Sequence, residues 1–433
     1  MKHSLIGFAS LLLAAHAAHG ASAVGSEVDA VYAQSEALYL DLHRNPELSS
    51  HETRTAEKLA AGLRELGYDV TTGVGGTGVV GVLKNGTGPV VMLRTELDAL
   101  PVEEKTGLPY ASTVRAKDDS GAEVGVMHAC GHDIHMASWM GAARIMASTR
   151  NRWRGTLVLI GQPAEETVSG AARMLADGLF TRFPRPHYAL AAHDDPRIPA
   201  GVVGYHAGPI LSNVDTLKIT IYGAGGHGAR PETTVDPIVI AARTVLALQT
   251  IVSREVSPFD SAVVTVGTLH GGTKNNIIPA DATLGLSVRS LTDPVRAHLL
   301  KAIERITKAE AAAAGAPQEP RIERIEGANA LINDPELTKR VAAALVRELG
   351  REQVRDTPPE MASEDFSEFQ GAGVPTLMLR VGATEQSKYD AAQKAGVELP
   401  SLHSPLFAPD REKTIKGMIT AEVIGLRELM PAK

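Results

Sequence analysis

The chain has 433 residues, ordinary apolar content and a net charge of −7, enough for a sizeable core spread over about two to four domains. The acidic balance, with no long basic run, excludes a nucleic-acid groove. An aromatic content of 4% leaves too few rings for base-stacking platforms, and a single cysteine excludes an internal disulfide.

At the N-terminus, Lys2 precedes an apolar stretch at 5–15 and small residues ending in Ala21-Ser22-Ala23. That is the order of a secretory signal peptide, residues 1–23, and the apolar stretch is too short to span a bilayer comfortably. The mature protein is therefore expected to be periplasmic or secreted, with no stable membrane insertion after cleavage. A free thiol in that oxidising compartment oxidises unless something such as a metal protects it.

Helical patterns follow at 28–44, stopped by Asn45-Pro46, and at 53–66, ended by Gly67. Short β-branched runs then occupy 78–84, 89–94, 155–161, 188–193 and 374–380, separated by helical segments such as 135–149 and 171–177. Near-continuous apolar strands alternating with helices predict an α/β fold: a mixed, largely parallel sheet flanked by helices. Between about 215 and 327 the order changes to strand 216–222, helix 236–252, strands 262–269 and 282–290, helix 294–314 and strand 321–325. This β-α-β-β-α-β order is the ferredoxin-like split motif. The expected organisation is a signal peptide 1–23, a catalytic domain in two segments, 24–213 and 327–433, and an inserted α+β ferredoxin-like lid domain, 214–326, with an open sheet edge.

In an open α/β sheet, ligands bind where loops leave the carboxyl ends of strands. Glu96 and Asp98 follow the run at 89–94, and Glu165 and Glu166 follow 155–161. His193 follows 188–192, and a long loop after 376–379 leads to His403. Cys130 and His132, in ACGHD, sit just before a helix. Taken singly, a Glu-Glu pair is usually a solvated helix start and a lone histidine a surface group. All of them at one sheet edge form a pattern that scattered surface charge does not produce. One cysteine, three histidines and a carboxylate exceed the needs of one tetrahedral ion; two neighbouring ions sharing a ligand would use them all. Glu166 can then bind metal while Glu165 reaches the activated water, the apparatus of amide hydrolysis. The alternative chemistry makes Cys130 a nucleophile activated by His132. It leaves His193, His403 and the Glu pair without a role.

The motifs ACGHD, QPAEE, GGHGARP, NNIIP, SEDF and LHSP together resemble the aminoacylase/carboxypeptidase family of di-metal amidohydrolases, in the branch of hippurate hydrolase and the indole-acetyl-amino-acid hydrolases. The resemblance runs from Val31 to Leu429. It implies a metallo-exopeptidase-like catalytic domain and two divalent ions (zinc, manganese, cobalt or nickel). Cys130, His132, Glu166, His193 and His403 would be the ligands, with Cys130 bridging. Glu165 would be the general base, and His227 would come from the lid domain, often across a dimer interface, to hold the oxyanion or the substrate carboxylate. Asn276 and Arg289 match positions suited to binding that carboxylate, and Asp98 fits as a residue orienting a ligand. One departure is Glu96, which stands where the family usually carries aspartate. Asp194 reads as a solvated loop charge or as a group that disfavours acidic substrates.

The expected activity is hydrolysis of N-acyl amino acids, with a small-molecule substrate, no nucleic-acid partner and a homodimer through the lid domain as an implication of the resemblance. A dipeptidase or carboxypeptidase using the same chemistry is the near alternative. An exported, non-enzymatic two-lobed binding protein is the alternative of a different class.

Overall fold

The computed structural model describes residues 23–432. The signal-peptide expectation falls, but for Ala23, outside them; Ala23 itself opens the first helix, Ala23–Arg44. The main sheet has eight strands in the order Asp69–Val74, Gly78–Asn85, Gly155–Gln162, Val90–Glu96, Tyr188–Pro199, Thr376–Thr384, Val203–Tyr205 and Val354–Asp356. Its four central strands, Gly155–Gln162 through Thr376–Thr384, are mutually parallel, while antiparallel neighbours flank them. These central strands are buried along almost their whole length, which explains why they read as continuous apolar runs rather than alternating ones.

Helices cover both faces. On one side Ala23–Arg44, His132–Ser148, Pro335–Leu349 and Arg411–Leu429 pack with the sheet into the larger core. Trp139 and Trp153 are fully buried there, and each indole N–H is satisfied by a carbonyl: Trp139 donates to Leu93 at 3.1 Å, Trp153 to Met146 at 2.9 Å. On the other face Met174, Phe366 and Phe369 close a second core.

The smaller unit is a four-stranded antiparallel sheet in the order Ala262–Gly271, Asp281–Ser290, Asn213–Tyr222, Arg321–Ala328. Helices Pro237–Arg254 and Asp293–Ala313 pack on it around an apolar core of their own. In chain order the strands run 4-1-3-2 across the sheet, the arrangement of the split β-α-β motif. The chain enters and leaves this unit through Gly208–Leu211 and Leu331–Asn333, which pair as an antiparallel ribbon. Arg289, near the end of Asp281–Ser290, ties the unit to the larger domain by donating from Nη1 to the Met361 carbonyl at 2.9 Å.

Two predicted strands run four or more residues past their expected ends. The strand predicted at 188–193 runs to Pro199, because residues 194–199 continue to pair with 381–384 although polar side chains break the apolar run. The strand predicted at 374–380 runs to Thr384, and the loop expected after it contains the helix Gln386–Ala395.

Candidate metal centre

Cys130 and His132 are delivered by one tight turn. Gly131 between them has φ +75°, and a Cβ there would lie 2.6 Å from the Asp194 carboxylate oxygens, so glycine is required for the chain to turn into His132–Ser148. Glu166 and Glu165 lie on the turn after Gly155–Gln162, and His193 lies inside Tyr188–Pro199. His403 has φ +65° and is held by donating its backbone N–H to the Ala129 carbonyl at 2.8 Å.

These side chains converge. The ligand atoms of Cys130, His132 and His193 lie within 4.8 Å of one another, as do those of Cys130, Glu166 and His403. The two triplets share Cys130, whose Sγ is 3.6 Å from His193 Nε2. His403 Nε2 is 3.5 Å from Glu166 Oε2, and His132 Nε2 is 4.0 Å from Glu165 Oε2.

The histidine tautomers are set from behind. His132 Nδ1 donates to the Asp98 carbonyl and His193 Nδ1 to the Asp194 carbonyl, each at 2.8 Å. A carbonyl only accepts, so each Nδ1 carries its proton and each Nε2 is turned to the cluster. His132 Nε2 and Glu166 Oε1 are buried with no hydrogen-bond partner among the described residues. Leaving such atoms unpaired costs about 1–3 kcal/mol each, a cost that a bound cation removes. A thiol, imidazoles and a carboxylate are also the donor set of zinc-like divalent ions. The residues present therefore fit a divalent metal.

Electrostatics agree. Burial alone would lower His132, but the hydrogen bond to Asp98 and the charges of Glu96 and Glu166 raise it to about 9. His193 is likewise lifted to about 9, against its burial, by Asp194 and Glu96. Burial, then the charges of Glu166 and Glu165, push the Cys130 thiol well up. That is the opposite of what an activated thiolate nucleophile needs without a cation. Burial, then Glu364 and Glu166, push the Glu165 carboxyl well above the usual range, which suits a group that takes and returns a proton.

Behind these side chains lies a layer that motif spacing only partly reveals. Asp98 Oδ1 is 3.5 Å from His132 Nδ1, and its Oδ2 accepts the Glu166 N–H at 3.0 Å. Glu96, the departure from the family pattern, is buried against Arg94 and lies 3.0 Å from His135 Nδ1. His135 Nε2 is in turn 3.0 Å from Asp194 Oδ1. The expectation of a solvated loop charge at Asp194 is corrected: it is 2% exposed and stands behind His193, because the strand continues past that histidine. His135 was missed, although its three-residue spacing from His132 puts both rings on one helix face. Arg94 was missed too; it is buried among Glu96, Glu364 and Asp365, the last two from the SEDF motif.

The remaining predicted residues sit on the smaller unit. His227 lies on the short strand Gly226–His227, paired with Ile277–Ile278, and its exposed ring accepts the Ala229 N–H at Nδ1. Asn276 is exposed beside it, its carbonyl accepting the Gly228 N–H at 2.8 Å. Arg289 is at the connection to the larger domain. No hydrogen bond or ion pair joins these three to the metal-type cluster among the described residues. A concavity of about 550 Å³ beside the His227 ribbon is lined by Gly228, Asp236, Lys274, Asn275, Ile277 and Pro279 and contains none of the metal-type side chains.

Residues 92–402 match the model of peptidase family M20/M25/M40. The chain belongs to that family. The M20 chain is 39% identical to the hippurate hydrolase of Campylobacter jejuni over 337 residues, 77% of this chain and 84% of that protein. It is 34% identical to thermostable carboxypeptidase 2 of Saccharolobus solfataricus over 391 residues, 89% and 93% of the two chains. Among solved structures, a dinuclear metal-binding M20 peptidase from Bacillus subtilis superposes with a TM-score of 0.75 at 28% identity, covering 92% of this chain and 98% of that one. A protein from methicillin-resistant Staphylococcus aureus gives a TM-score of 0.83 at 31% identity, covering 94% and 99%. The M20 chain is thus a metal-dependent hydrolase of amide or peptide bonds, which sets aside the non-enzymatic binding protein.

Proposed function

We propose that this M20 hydrolase cleaves the amide bond of N-acyl amino acids of the hippurate type. The observation that carries the reading is the convergence of Cys130, His132, Glu166, His193 and His403 into two triplets sharing one thiol, with Glu165 at their edge. The 39% identity to a hippurate hydrolase supports the substrate class. The carboxypeptidase relatives support the second reading, hydrolysis of short peptides by the same groups.

The five side chains would hold two divalent cations, with zinc, manganese, cobalt and nickel all suited to the donors. When bound, the ions supply Lewis acidity at the carbonyl oxygen and lower the pKa of water. Glu165 takes a proton as water adds to the carbonyl carbon, and returns it to the nitrogen as the C–N bond breaks, leaving a carboxylic acid and an amine. Asp98 and Asp194 keep the His132 and His193 rings oriented. His227 and Asn276 share one ribbon at the tip of the smaller unit, which supports a role in binding the substrate carboxylate or the developing oxyanion once the two domains close. Arg289 is held by Met361, and freeing it for substrate requires the same closure.

A homodimer through the smaller unit fits its surface. Ala262–Gly271 is an edge strand, and Pro237–Arg254 exposes Val239, Leu246 and Val252, more apolar surface than a helix facing only water carries. The N-terminal composition supports export to the periplasm or beyond.

The test is a panel of N-acyl amino acids and dipeptides assayed with metal-reconstituted protein, together with Glu165→Gln. We expect hippurate-type amides to be the fastest substrates. Glu165→Gln should lower kcat by at least about 10³-fold and retain its bound metal. Full turnover in that variant removes Glu165 from the chemistry, and a preference for dipeptides selects the second reading.

A further inference from the structure

The turn that carries Glu165 has an uncommon shape. Ala164 has φ +49° and Val168 φ +52°, values that residues with a Cβ adopt rarely and at a cost. Gly170 closes the turn so tightly that a Cβ would lie 1.6 Å from the Pro163 carbonyl oxygen. Three buried carboxylates grip its backbone amides. Asp98 accepts from Glu166 N–H at 3.0 Å, Asp365 from Ala171 N–H at 2.9 Å, and Glu52 from Ala164 N–H at 2.8 Å. Asp98 also serves His132, and Asp365 also serves Gln162 and Arg94. Glu52 makes no hydrogen bond or ion pair with any metal-type side chain among the described residues.

Its placement breaks a local rule. Glu52 is the N-cap residue of the helix Thr53–Glu65, yet its side chain does not cap that helix. Glu47 does so instead, accepting from Arg54 and Thr55 N–H at 3.1 and 2.8 Å. Released from that duty, Glu52 is fully buried and reaches across to the Glu165 turn. Its Oε1 accepts both Ala164 N–H and Ser50 N–H, each at 2.8 Å, and Ser50 too is left-handed, at φ +69°. Its Oε2 accepts the Thr77 hydroxyl at 2.5 Å. One carboxylate therefore fixes two strained residues, one of them immediately before Glu165.

We propose that Glu52 is a positioning residue for the reaction: by holding the Ala164 amide it fixes the left-handed turn and so the direction in which the Glu165 side chain leaves the backbone. The proposal rests on Glu165 being the proton carrier. It is distinct from the ligand set, because Glu52 acts on the base and not on the metal.

The test compares full-length, metal-reconstituted wild type with Glu52→Ala, Glu52→Gln and Thr77→Val, using the fastest amide of the panel. Measured are kcat, KM, bound metal per chain, and amide hydrogen exchange of peptides covering 162–170. Glu52→Ala is expected to lower kcat about 100-fold, the scale of a misplacement near 1 Å, with KM and metal content unchanged. Exchange in 162–170 should quicken by at least about tenfold. Glu52→Gln keeps an Oε1 acceptor and should return kcat to within about fivefold of wild type. Thr77→Val removes the Oε2 tether alone and should lower kcat about threefold or more, a readout that survives if Glu52→Ala does not fold. Wild-type kcat in folded Glu52→Ala, unchanged exchange, or a kcat loss matched by lost metal overturns the proposal. If Glu52→Ala does not fold, wild-type kcat in Thr77→Val does so. Glu165→Gln is run alongside: full turnover there sinks the reading of Glu165 itself, whereas an inactive Glu165→Gln beside a fully active Glu52→Ala removes only Glu52.

Discussion

Glu422 shows what one ionisable side chain does inside this core. It sits on Arg411–Leu429, 4% exposed, and its Oε2 has no hydrogen-bond partner among the described residues. Burial pushes its carboxyl well up; the neighbouring His135 opposes this and the Glu96 charge adds to it. The sign follows. The folded chain keeps the proton, while the unfolded chain releases it above about pH 4.3, so the residue increasingly favours unfolding as pH rises past that value. Glu422→Gln should leave stability unchanged near pH 4 and raise it by about 1–3 kcal/mol at pH 8. Urea unfolding at the two pH values checks this, and an equal effect at both refutes it. Nothing in the periodicity marks this residue, because a glutamate in a helix ordinarily points to water. By contrast, Cys130 and His132 were legible because a lone thiol two positions from a histidine has few structural uses.

At the scale of elements, the site depends on how three segments meet. His43, at the end of Ala23–Arg44, is buried with Nδ1 2.6 Å from Asp133 and Nε2 3.2 Å from Glu104. Asp133 is the second residue of the helix that His132 begins, and the loop of Glu104 supports the His403 loop through Lys105 N–H donating to the Pro405 carbonyl at 2.8 Å. Burial alone would lower His43, but the two carboxylates raise it to about 10. Its stabilisation is therefore complete below the ordinary histidine value of about 6.5 and is lost as pH rises through about 10. His43→Gln should cost about 3 kcal/mol at pH 6 and much less at pH 10.5, read by denaturant unfolding; an equal loss at both would refute the clasp. The helices up to residue 314 and the central strands were legible because their apolar periods are clean, whereas Pro335–Leu349, Gln386–Ala395 and Arg411–Leu429 were not anticipated. The carboxyl ends of the strands were not, because His193 and Asp194 are polar residues of the cluster and Asp195 pairs with Arg197, and they interrupt the apolar run while the backbone goes on pairing.

At the scale of the molecule, the cluster joins segments from residue 130 to residue 403, so a bound cation would cross-link the larger domain. Removing metal with a chelator should lower the Tm, and adding it back should restore the Tm in a concentration-dependent way. At 100 times Kd, one site contributes about 2.7 kcal/mol. A Tm indifferent to chelation would falsify the cluster as a metal centre. The smaller unit has its own core and is joined through one ribbon. Leu246, 71% exposed on Pro237–Arg254, is the position to probe for assembly. Leu246→Asp should convert the proposed dimer to monomer in light scattering without lowering the stability of the unit, and a wild type that is already monomeric ends the dimer reading.

The sequence by itself determined the α/β class, the inserted β-α-β-β-α-β unit and the side-chain types that meet in the metal-type cluster, because apolar period and side-chain type are local properties. Tertiary structure alone decided which atoms face the cluster. Asp98 and Asp194 set the histidine tautomers, Glu96 meets His135, Arg94 collects carboxylates from residues 364 and 365, and Glu52 leaves the capping of its own helix to Glu47 and holds a distant turn. The physical reason is that these are buried polar contacts between residues far apart in the chain. Such groups persist only when paired, and chain order does not say where a partner will arrive.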